Sequence, residues 1–167
     1  KRAWTYPLSM ATLRALRREF GQALVVSEEL MAWARAERRR EKRTKSYAAH
    51  HDAVLSLVPS VAPRLAEAMA GRTYQRSAAR FSKVAGNYLL ADEPGLGKTA
   101  TALGGIIESG KWEGEHLVIA PKTSLESTWG RQIREWTGAT VYVMPEGVPK
   151  REKCWQDFLA DPSETKF

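Results

Sequence analysis

A glycine-rich turn, LLADEPGLGKT from Leu89 to Thr99, is the feature that most narrows what this chain can fold into. An apolar run enters the turn, and residues 98–109, which have helical spacing, leave it. This order of strand, turn and helix is the context that a phosphate-binding loop requires. Gly95 and Gly97 have no Cβ, so the backbone can curl tightly and approach an anion closely. The turn therefore predicts a phosphate site at the start of a helix.

The residue types in the turn also suit that chemistry. We expect consecutive backbone amides to point into one concavity, with the positive end of the following helix dipole facing the phosphates. Lys98 supplies a mobile positive charge for the β- and γ-phosphates, and the Thr99 hydroxyl can join the coordination shell of Mg²⁺. The predicted cofactors are ATP and Mg²⁺, and the residues predicted to bind them here are Gly95, Leu96, Gly97, Lys98, Thr99 and Ala100.

Around the turn, strand-like runs alternate with helical segments. The apolar runs NYLLA, HLVIA and VYVM occupy residues 87–91, 116–120 and 141–144. Helical spacing covers residues near 73–84, 98–109, 124–136 and 150–160. Such alternation is typical of α/β proteins, in which a parallel sheet is joined by helical crossovers.

The first part of the chain has a different pattern. Ser9 and Ser27 are placed to cap two helices, the first of which ends at Gly21, and short strand-like stretches lie near residues 4–8 and 23–27. The segment VPSVAP, with two prolines, marks the best boundary. We therefore predict a small α+β module over residues 1–60 and an α/β domain over residues 61–167.

Positive charge is concentrated in the predicted N-terminal module. The chain has a net charge of +7, and residues 1–60 carry +6 of it. The run RAERRREKRTK, residues 35–45, places several bases along a helix and lacks a long apolar face, so nucleic acid is a better partner than a membrane. The predicted DNA contacts in this run are Arg35, Arg38, Arg39 and Lys42.

Composition limits the cellular setting. No apolar run approaches the ~20 residues that cross a bilayer. Cys154 is the only cysteine of the chain, so an internal disulfide is excluded and a reducing, intracellular compartment is favoured. We expect a monomer. The abundance of alanine and arginine favours a bacterium or a phage-infected host as the source. A eukaryotic source would instead imply the nucleus.

Three motifs together resemble a known family. Tyr74-Gln75 precedes the turn, the turn reads LADEPGLGKT, and Ala120-Pro121-Lys122 is followed by a helix with two tryptophans. This set resembles the start of the Swi/Snf-type ATPase core of the superfamily-two helicases, and the resemblance covers residues 72–145. The strict phosphate-loop pattern has glycine where this chain has Asp92, but the Swi/Snf-type family also has aspartate there.

The resemblance implies a fold, an activity and further site residues. It implies a partial RecA-like sheet and a DNA-dependent ATPase that translocates on DNA. It implies that Gln75 reads adenine and that Asp92 and Glu93 belong to the nucleotide loop. It also implies that the segment after the second strand lies against the DNA backbone, through Lys122, Thr123 and Ser124. Leu125, Trp129, Ile133 and Trp136 have the spacing of a packed helix face rather than of a base-stacking surface.

The opening RAWTYPLSMATLRALRREFG is similar to a second module. It resembles the HARP-type module that precedes the motor in annealing helicases, through Trp4, Pro7, Leu8, Phe20 and Gly21. This resemblance implies that the basic N-terminal module recognises duplex or forked DNA and that the whole protein rewinds separated strands.

The motor that these motifs imply needs further residues. The family's Asp-Glu-x-His segment and its second RecA-like lobe are not found in the 167 residues. We therefore expect the front part of a longer protein, which binds ATP weakly and hydrolyses it negligibly. Two alternatives remain: a non-catalytic DNA-binding module with a vestigial phosphate loop, and a phosphate-loop kinase or other nucleotide transferase.

Overall fold

The computed structural model describes residues 5–48 and 54–167, which form two compact units, Lys1–Lys45 and Ser46–Phe167. In chain order the elements are α1 (Met10–Phe20), a 3₁₀ turn (Gly21–Ala23), α2 (Glu28–Ala48), α3 (Val58–Val61), α4 (Pro63–Met69), α5 (Thr73–Ala85), α6 (Lys98–Glu108), β1 (Gly114–Glu115), α7 (Lys122–Ser124), a π-helical segment (Leu125–Gly130), α8 (Arg131–Thr137), α9 (Val148–Ala160) and β2 (Thr165–Lys166). The division by contacts falls between residues 45 and 46, and the domain boundary at residue 60 stays a prediction.

The first unit is a pair of helices. The Ser9 hydroxyl caps α1 by accepting a hydrogen bond from the Thr12 amide at 3.0 Å, and Gly21 ends α1 at φ +54°. The Ser27 hydroxyl accepts from the Leu30 amide at 3.3 Å in the first turn of α2. Residues 5–45 contain no strand, so neither strand-like stretch of the predicted α+β module is formed there. Trp4, which carries part of the HARP-type resemblance, lies outside the described residues.

The core of the second unit is built where α5 packs on α6. Two adjacent glycines of α6 permit the close approach, because a Cβ at Gly105 would lie 2.8 Å from the Ser82 hydroxyl oxygen and one at Gly104 would lie 3.1 Å from the Met69 Cε. The Ser82 hydroxyl donates to the Gly105 carbonyl at 2.8 Å. Fully buried apolar side chains of this core include Leu65, Met69, Ala79, Leu103 and Ile107.

A buried carboxylate joins α6 to the start of α3. Glu108 is fully buried and accepts hydrogen bonds from the backbone amides of Ser56, Leu57 and Val58 at 2.7, 2.7 and 3.1 Å. The Ser56 hydroxyl donates to its other oxygen at 2.8 Å. Burial alone would raise the pKa of Glu108, but the hydrogen bonds from Leu57, Val58 and Ser56 together hold it below the usual value. The carboxylate therefore acts as a charged cap for α3.

The strands of the described residues form one small parallel sheet. In it β1 pairs with β2, with Gly114 opposite Thr165 and Glu115 opposite Lys166. Thr140 bridges Lys166 in parallel on the other side, and the Phe167 amide donates to the Thr140 carbonyl at 2.9 Å. The segment that contains β2 therefore lies between β1 and the segment that contains Thr140.

The sheet is smaller than the sequence predicts. Residues 87–91, 116–120 and 141–144 are not assigned as strands, although His116 and Tyr142 donate backbone hydrogen bonds to the carbonyls of Lys166 and Phe167 at 3.0 and 2.7 Å. Leu89, Leu117 and Ile119 are 87%, 85% and 89% exposed. A strand ladder forms only where a neighbouring segment supplies paired amides and carbonyls. Beyond these first bonds, no segment of the described residues pairs with the three runs in this way. The structure is thus mostly helical with one parallel sheet, compatible with the α/β class, while the RecA-like sheet stays a prediction.

The helices of residues 5–48 and 54–167 include none that is both long enough and apolar enough to cross a membrane.

Candidate phosphate-binding site

The glycine turn is a short irregular loop that leads directly into α6. Gly95 and Gly97 have φ angles of +87° and +75°, in the left-handed region that residues other than glycine rarely adopt. Gly97 is also the residue immediately before α6. Both glycines predicted to shape the loop therefore have a conformation that requires glycine.

The first turn of α6 presents backbone amides. A helix leaves its first amides without a carbonyl partner inside the helix, and here these belong to Lys98, Thr99 and Ala100. The next amide, of Thr101, donates to the Gly97 carbonyl at 3.2 Å. The positive end of the helix dipole lies at the same place. The start of α6 thus combines the two features that favour a bound anion.

The side chain of Lys98 folds back over the loop. Its ammonium donates to the backbone carbonyls of Asp92 and Glu93, each at 2.8 Å. These two contacts close a ring from residue 92 to residue 98. They keep a positive charge beside the loop, where a phosphate group would need it.

A tyrosine and a glutamine of α5 hold the loop from its other side. Gln75 is fully buried, and its Nε2 donates to the carbonyls of Leu96 and Gly97 at 2.8 and 3.4 Å. The Tyr74 hydroxyl donates to the same Leu96 carbonyl at 3.1 Å. A Cβ at Gly97 would collide with Gln75 Nε2, which gives this glycine a second reason to be there. Gln75 Oε1 is buried and has no hydrogen-bond partner among the described residues.

The other predicted residues of the loop differ in exposure. Ala100 is buried, Asp92 and Thr99 are partly buried, and Glu93 is exposed. Within the described part of the chain, no three histidine, cysteine, aspartate or glutamate side chains form a group able to hold a metal ion.

The segment predicted to contact the DNA backbone forms α7. The Ser124 hydroxyl donates to the Pro121 carbonyl at 2.9 Å, and the Thr123 carbonyl accepts from the Ser127 hydroxyl at 2.6 Å. Exposed Lys122 makes an ion pair with Glu146, with 2.5 Å between Nζ and Oε1. These local contacts order the segment.

The helix after α7 packs as its spacing predicts. Ile133 is buried in the core, and Trp129 and Trp136 pack partly buried against it. The helix is not uniform, because Leu125–Gly130 forms a π-helical segment. Glu126 and Arg134 pair across Gly130 with 2.6 Å between their charged atoms, and a Cβ at Gly130 would lie 2.8 Å from the Glu126 carboxylate.

The basic residues predicted to contact DNA in the first unit all lie on α2. Arg35, Arg38, Arg39 and Lys42 are exposed. Of the two acidic residues of the run, Glu37 pairs with Arg40 of the same helix at 3.0 Å and Glu41 pairs with Arg14 at 3.2 Å. Neither of these ion pairs involves Arg35, Arg38, Arg39 or Lys42.

Two side chains that matter to this geometry were not predicted. Tyr74 is part of the motif that marked Gln75, and its position next to that glutamine was the available signal. Glu108 is the only acidic residue of the segment KTATALGGIIE and shares a helix face with Thr101, Gly104 and Gly105, none of which is charged. A charge on such a face is a signal for a buried partner, since a lone buried charge is costly.

One comparison identifies a family. A family model described as SNF2-related domain matches residues 25–159 of the chain. No curated protein and no solved structure matches the chain. The matched range begins inside the predicted N-terminal module and contains the whole of the glycine loop and of α7.

Proposed function

The chain belongs to the SNF2-related domain family, which confirms the Swi/Snf-type resemblance, and on that premise we propose that it is the nucleotide-binding part of a DNA-dependent ATPase. In this proposal the loop before α6 binds the phosphates of ATP, and basic surfaces on α2 and α7 contact DNA. Rewinding of strands by a HARP-type module is a finer hypothesis that rests on the sequence alone.

The observation that carries the proposal is the start of α6. Two glycines in left-handed conformation, Gly95 and Gly97, precede a helix whose first amides have no partner within the helix. Lys98 stands at its first position, with its ammonium held above the same loop. Amides, helix dipole and ammonium together favour a group with several negative charges, such as a triphosphate.

The loop side chains fit ATP and Mg²⁺ in distinct roles. Thr99 would offer its hydroxyl to Mg²⁺, which supplies charge neutralisation between the phosphates when bound. Lys98 would leave the carbonyls of Asp92 and Glu93 for the phosphate oxygens. Gln75 has its Nε2 engaged with the loop, so its unpartnered Oε1 is the atom able to accept a hydrogen bond from the amino group of adenine.

Nucleotide binding by the 167-residue chain tests the proposal. We expect weak binding of a fluorescent non-hydrolysable ATP analogue with Mg²⁺, measured by anisotropy, and negligible ATP turnover. Lys98→Ala should weaken binding by about tenfold or more, because a charge-assisted contact is lost. Lys111→Ala, an exposed lysine just beyond α6, is the matched control and should bind as the parent does.

The alternative, a DNA-binding module with a vestigial loop, makes the opposite forecast. If Lys98→Ala and Lys111→Ala bind the analogue equally, or if the parent chain does not bind it at all, the ATPase proposal fails. Steady ATP turnover by the chain that Lys98→Ala abolishes would contradict the expectation that this part alone is inactive.

The DNA part of the proposal is tested separately. Binding to a forked DNA should weaken steeply with salt, because each neutralised phosphate releases counterions. Replacing Arg39 and Lys42 by alanine should lower affinity and reduce the slope of log K against log salt by about two. A slope equal to that of the parent chain would remove α2 from the DNA interface.

A further inference from the structure

A groove between α1 and α2 is a feature of the first unit that the ATPase proposal leaves unexplained. Its volume is about 560 Å³. Among residues 5–45 only Met10 and Ala34 are fully buried, so the two helices cover little of each other. The groove is lined by Met10, Leu13, Arg14, Arg17, Arg18, Val26, Met31, Ala34, Arg35 and Arg38.

The floor of the groove is aliphatic. It consists of the side chains of Met10, Leu13, Val26, Met31 and Ala34, and Met31 remains 42% exposed. Helices bury such apolar stripes against another element. Methionine adapts its shape to a bound partner, which suits a docking surface.

The lining follows helical spacing on both sides. On α1 it takes positions 10, 13, 14, 17 and 18, and on α2 positions 31, 34, 35 and 38. Both sets follow the i, i+3, i+4, i+7 pattern that a helix presents to a neighbouring helix, with position 18 as i+8 on α1. The groove therefore has the form of a seam that a third helix would fill.

The rim of the groove is strongly positive. Five arginines line it and no carboxylate does. In the part of the chain that the structure describes, an ion pair reaches one of the five, Arg14, whose guanidinium lies 3.2 Å from Glu41. Charge complementarity calls for an occupant with several negative charges.

The chemistry of the lining distinguishes between two kinds of anionic occupant. The five arginines alone fit either DNA phosphates or carboxylates, but none of the ten lining residues has an aromatic ring on which a base could stack. An aliphatic floor between arginines instead matches a helix with apolar anchors on one face and acidic residues beside them. We propose that this groove binds an acidic amphipathic helix of a partner protein.

The proposal goes beyond ATP and DNA binding, although it touches one of those surfaces. Arg35 and Arg38 line the groove and also belong to the face proposed for DNA, whereas Arg39 and Lys42 do not line it. A bound acidic helix would therefore occupy two of the four DNA-contacting residues of α2.

A designed peptide tests the proposal on the full 167-residue chain. The probe is a fluorescein-labelled peptide of about 18 residues, or five helical turns, with leucines at i, i+3, i+4 and i+7 spacing and glutamates at most other positions. Its comparison peptide has the same composition with the leucines spread around the helix. We expect saturable binding of the probe by anisotropy and binding at least about tenfold weaker for the comparison peptide.

Substitutions then locate the site. Met31→Gln removes an exposed floor side chain, and Arg17→Glu reverses one rim charge on a surface position; each should weaken probe binding by about fivefold or more. Val25→Gln, 94% exposed and outside the groove, and Arg43→Ala, on another face of α2, are matched controls and should bind as the parent does. Circular dichroism confirms that the variants keep their helices, and Arg17→Glu leaves the apolar floor intact if Met31→Gln does not fold.

Two results would overturn the proposal. Equal binding of both peptides would show that charge alone attracts them. If Met31→Gln weakens the binding of a forked DNA as much as it weakens the binding of the probe, the groove is a nucleic-acid site instead. Neither result bears on Lys98, so failure here is distinguishable from failure of the nucleotide-binding proposal.

Discussion

Glu108 links two parts of the core through one side chain. Its carboxylate accepts four hydrogen bonds from Ser56, Leu57 and Val58, while the side chain is fully removed from solvent. Hydrogen bonds to a charged group contribute about 1.5–3 kcal/mol each, so this cluster offsets the cost of burying the charge. The residue is structural, and nothing about it depends on nucleotide.

Replacing Glu108 by glutamine should therefore destabilise the fold in a pH-dependent way. At about pH 7 we expect Glu108→Gln to lower the free energy of unfolding by about 2–3 kcal/mol, because charge-assisted bonds become neutral. The pKa of Glu108 is lowered in the folded state, so its contribution is complete above the unfolded pKa of about 4.3 and is lost as pH falls through the folded pKa. Urea unfolding at about pH 7 and pH 3.5 measures both.

Glu113→Gln is the matched control for that experiment. Glu113 is exposed, so its replacement should change stability by less than about 0.5 kcal/mol at either pH. A difference between Glu108→Gln and the parent chain that is as large at low pH as at neutral pH would contradict the role assigned to the charge.

At the residue scale, the positions of the loop glycines were easier to predict from the sequence than the side-chain contacts that hold the loop. The glycine positions and Lys98 follow from spacing, because only glycine tolerates the two left-handed conformations. The contact of Lys98 with two carbonyls, and the use of Gln75 Nε2 to hold the loop, depend on packing between α5 and the loop. Sequence periodicity contains no information about such tertiary distances.

Among the elements, α6 contains two glycines that lower its helix propensity but allow it to pack closely against α5. Two consecutive glycines inside a helix cost about 1 kcal/mol each relative to alanine. In return α6 lies close enough to α5 for the Ser82 hydroxyl to reach the Gly105 carbonyl at 2.8 Å. The helix that carries the candidate phosphate site at its start is thereby fixed along its middle.

The two glycines should respond differently to alanine. A Cβ at Gly105 would lie 2.8 and 2.9 Å from the hydroxyl oxygens of Ser82 and Tyr88, so we expect Gly105→Ala to destabilise by about 1–2 kcal/mol despite the gain in propensity. Gly104→Ala meets the flexible end of Met69 at 3.1 Å and the Ala79 Cβ at 3.3 Å, looser contacts than those at Gly105, so it should destabilise less. Urea denaturation compares the pair, and equal stabilities would refute the packing argument.

Helices were predictable and strands were not, for a physical reason. The spans of α1, α5, α6 and α9 follow from caps and 3.6-residue spacing, which act within each segment. A strand is stable only with a partner, and the apolar runs at residues 87–91 and 116–120 have no paired neighbour along most of their length in the described chain. Residues 165–166 were not predicted as a strand, because their apolar content is low.

For the whole molecule, the uneven distribution of exposed apolar surface matters most. Leu89, Leu117 and Ile119 are almost fully exposed on segments whose backbone is extended or irregular. Exposed apolar segments with unpaired amides and carbonyls are sites of intermolecular strand pairing. We therefore expect any self-association of this chain to begin there.

Charged substitutions should suppress that association without changing stability. Leu117→Lys together with Ile119→Lys should raise the concentration at which light scattering appears, because lysines block strand pairing. The free energy of unfolding should stay within about 0.5 kcal/mol of the parent value, since both positions are already exposed. Leu8→Lys together with Val25→Lys, at positions that are 68% and 94% exposed, adds the same two charges and is the matched control. Scattering that falls equally in the control would mean that net charge, not pairing, is responsible.

The two hydrogen bonds from Lys98 to the Asp92 and Glu93 carbonyls have a consequence for ligand selection. The carbonyls of the loop are already paired with its own lysine, so binding of an anion would be an exchange rather than an addition. A singly charged ion would compete poorly with the two carbonyls for the ammonium, while a chelated polyphosphate would offer several oxygens at once. We therefore expect the loop to select polyphosphates over small anions.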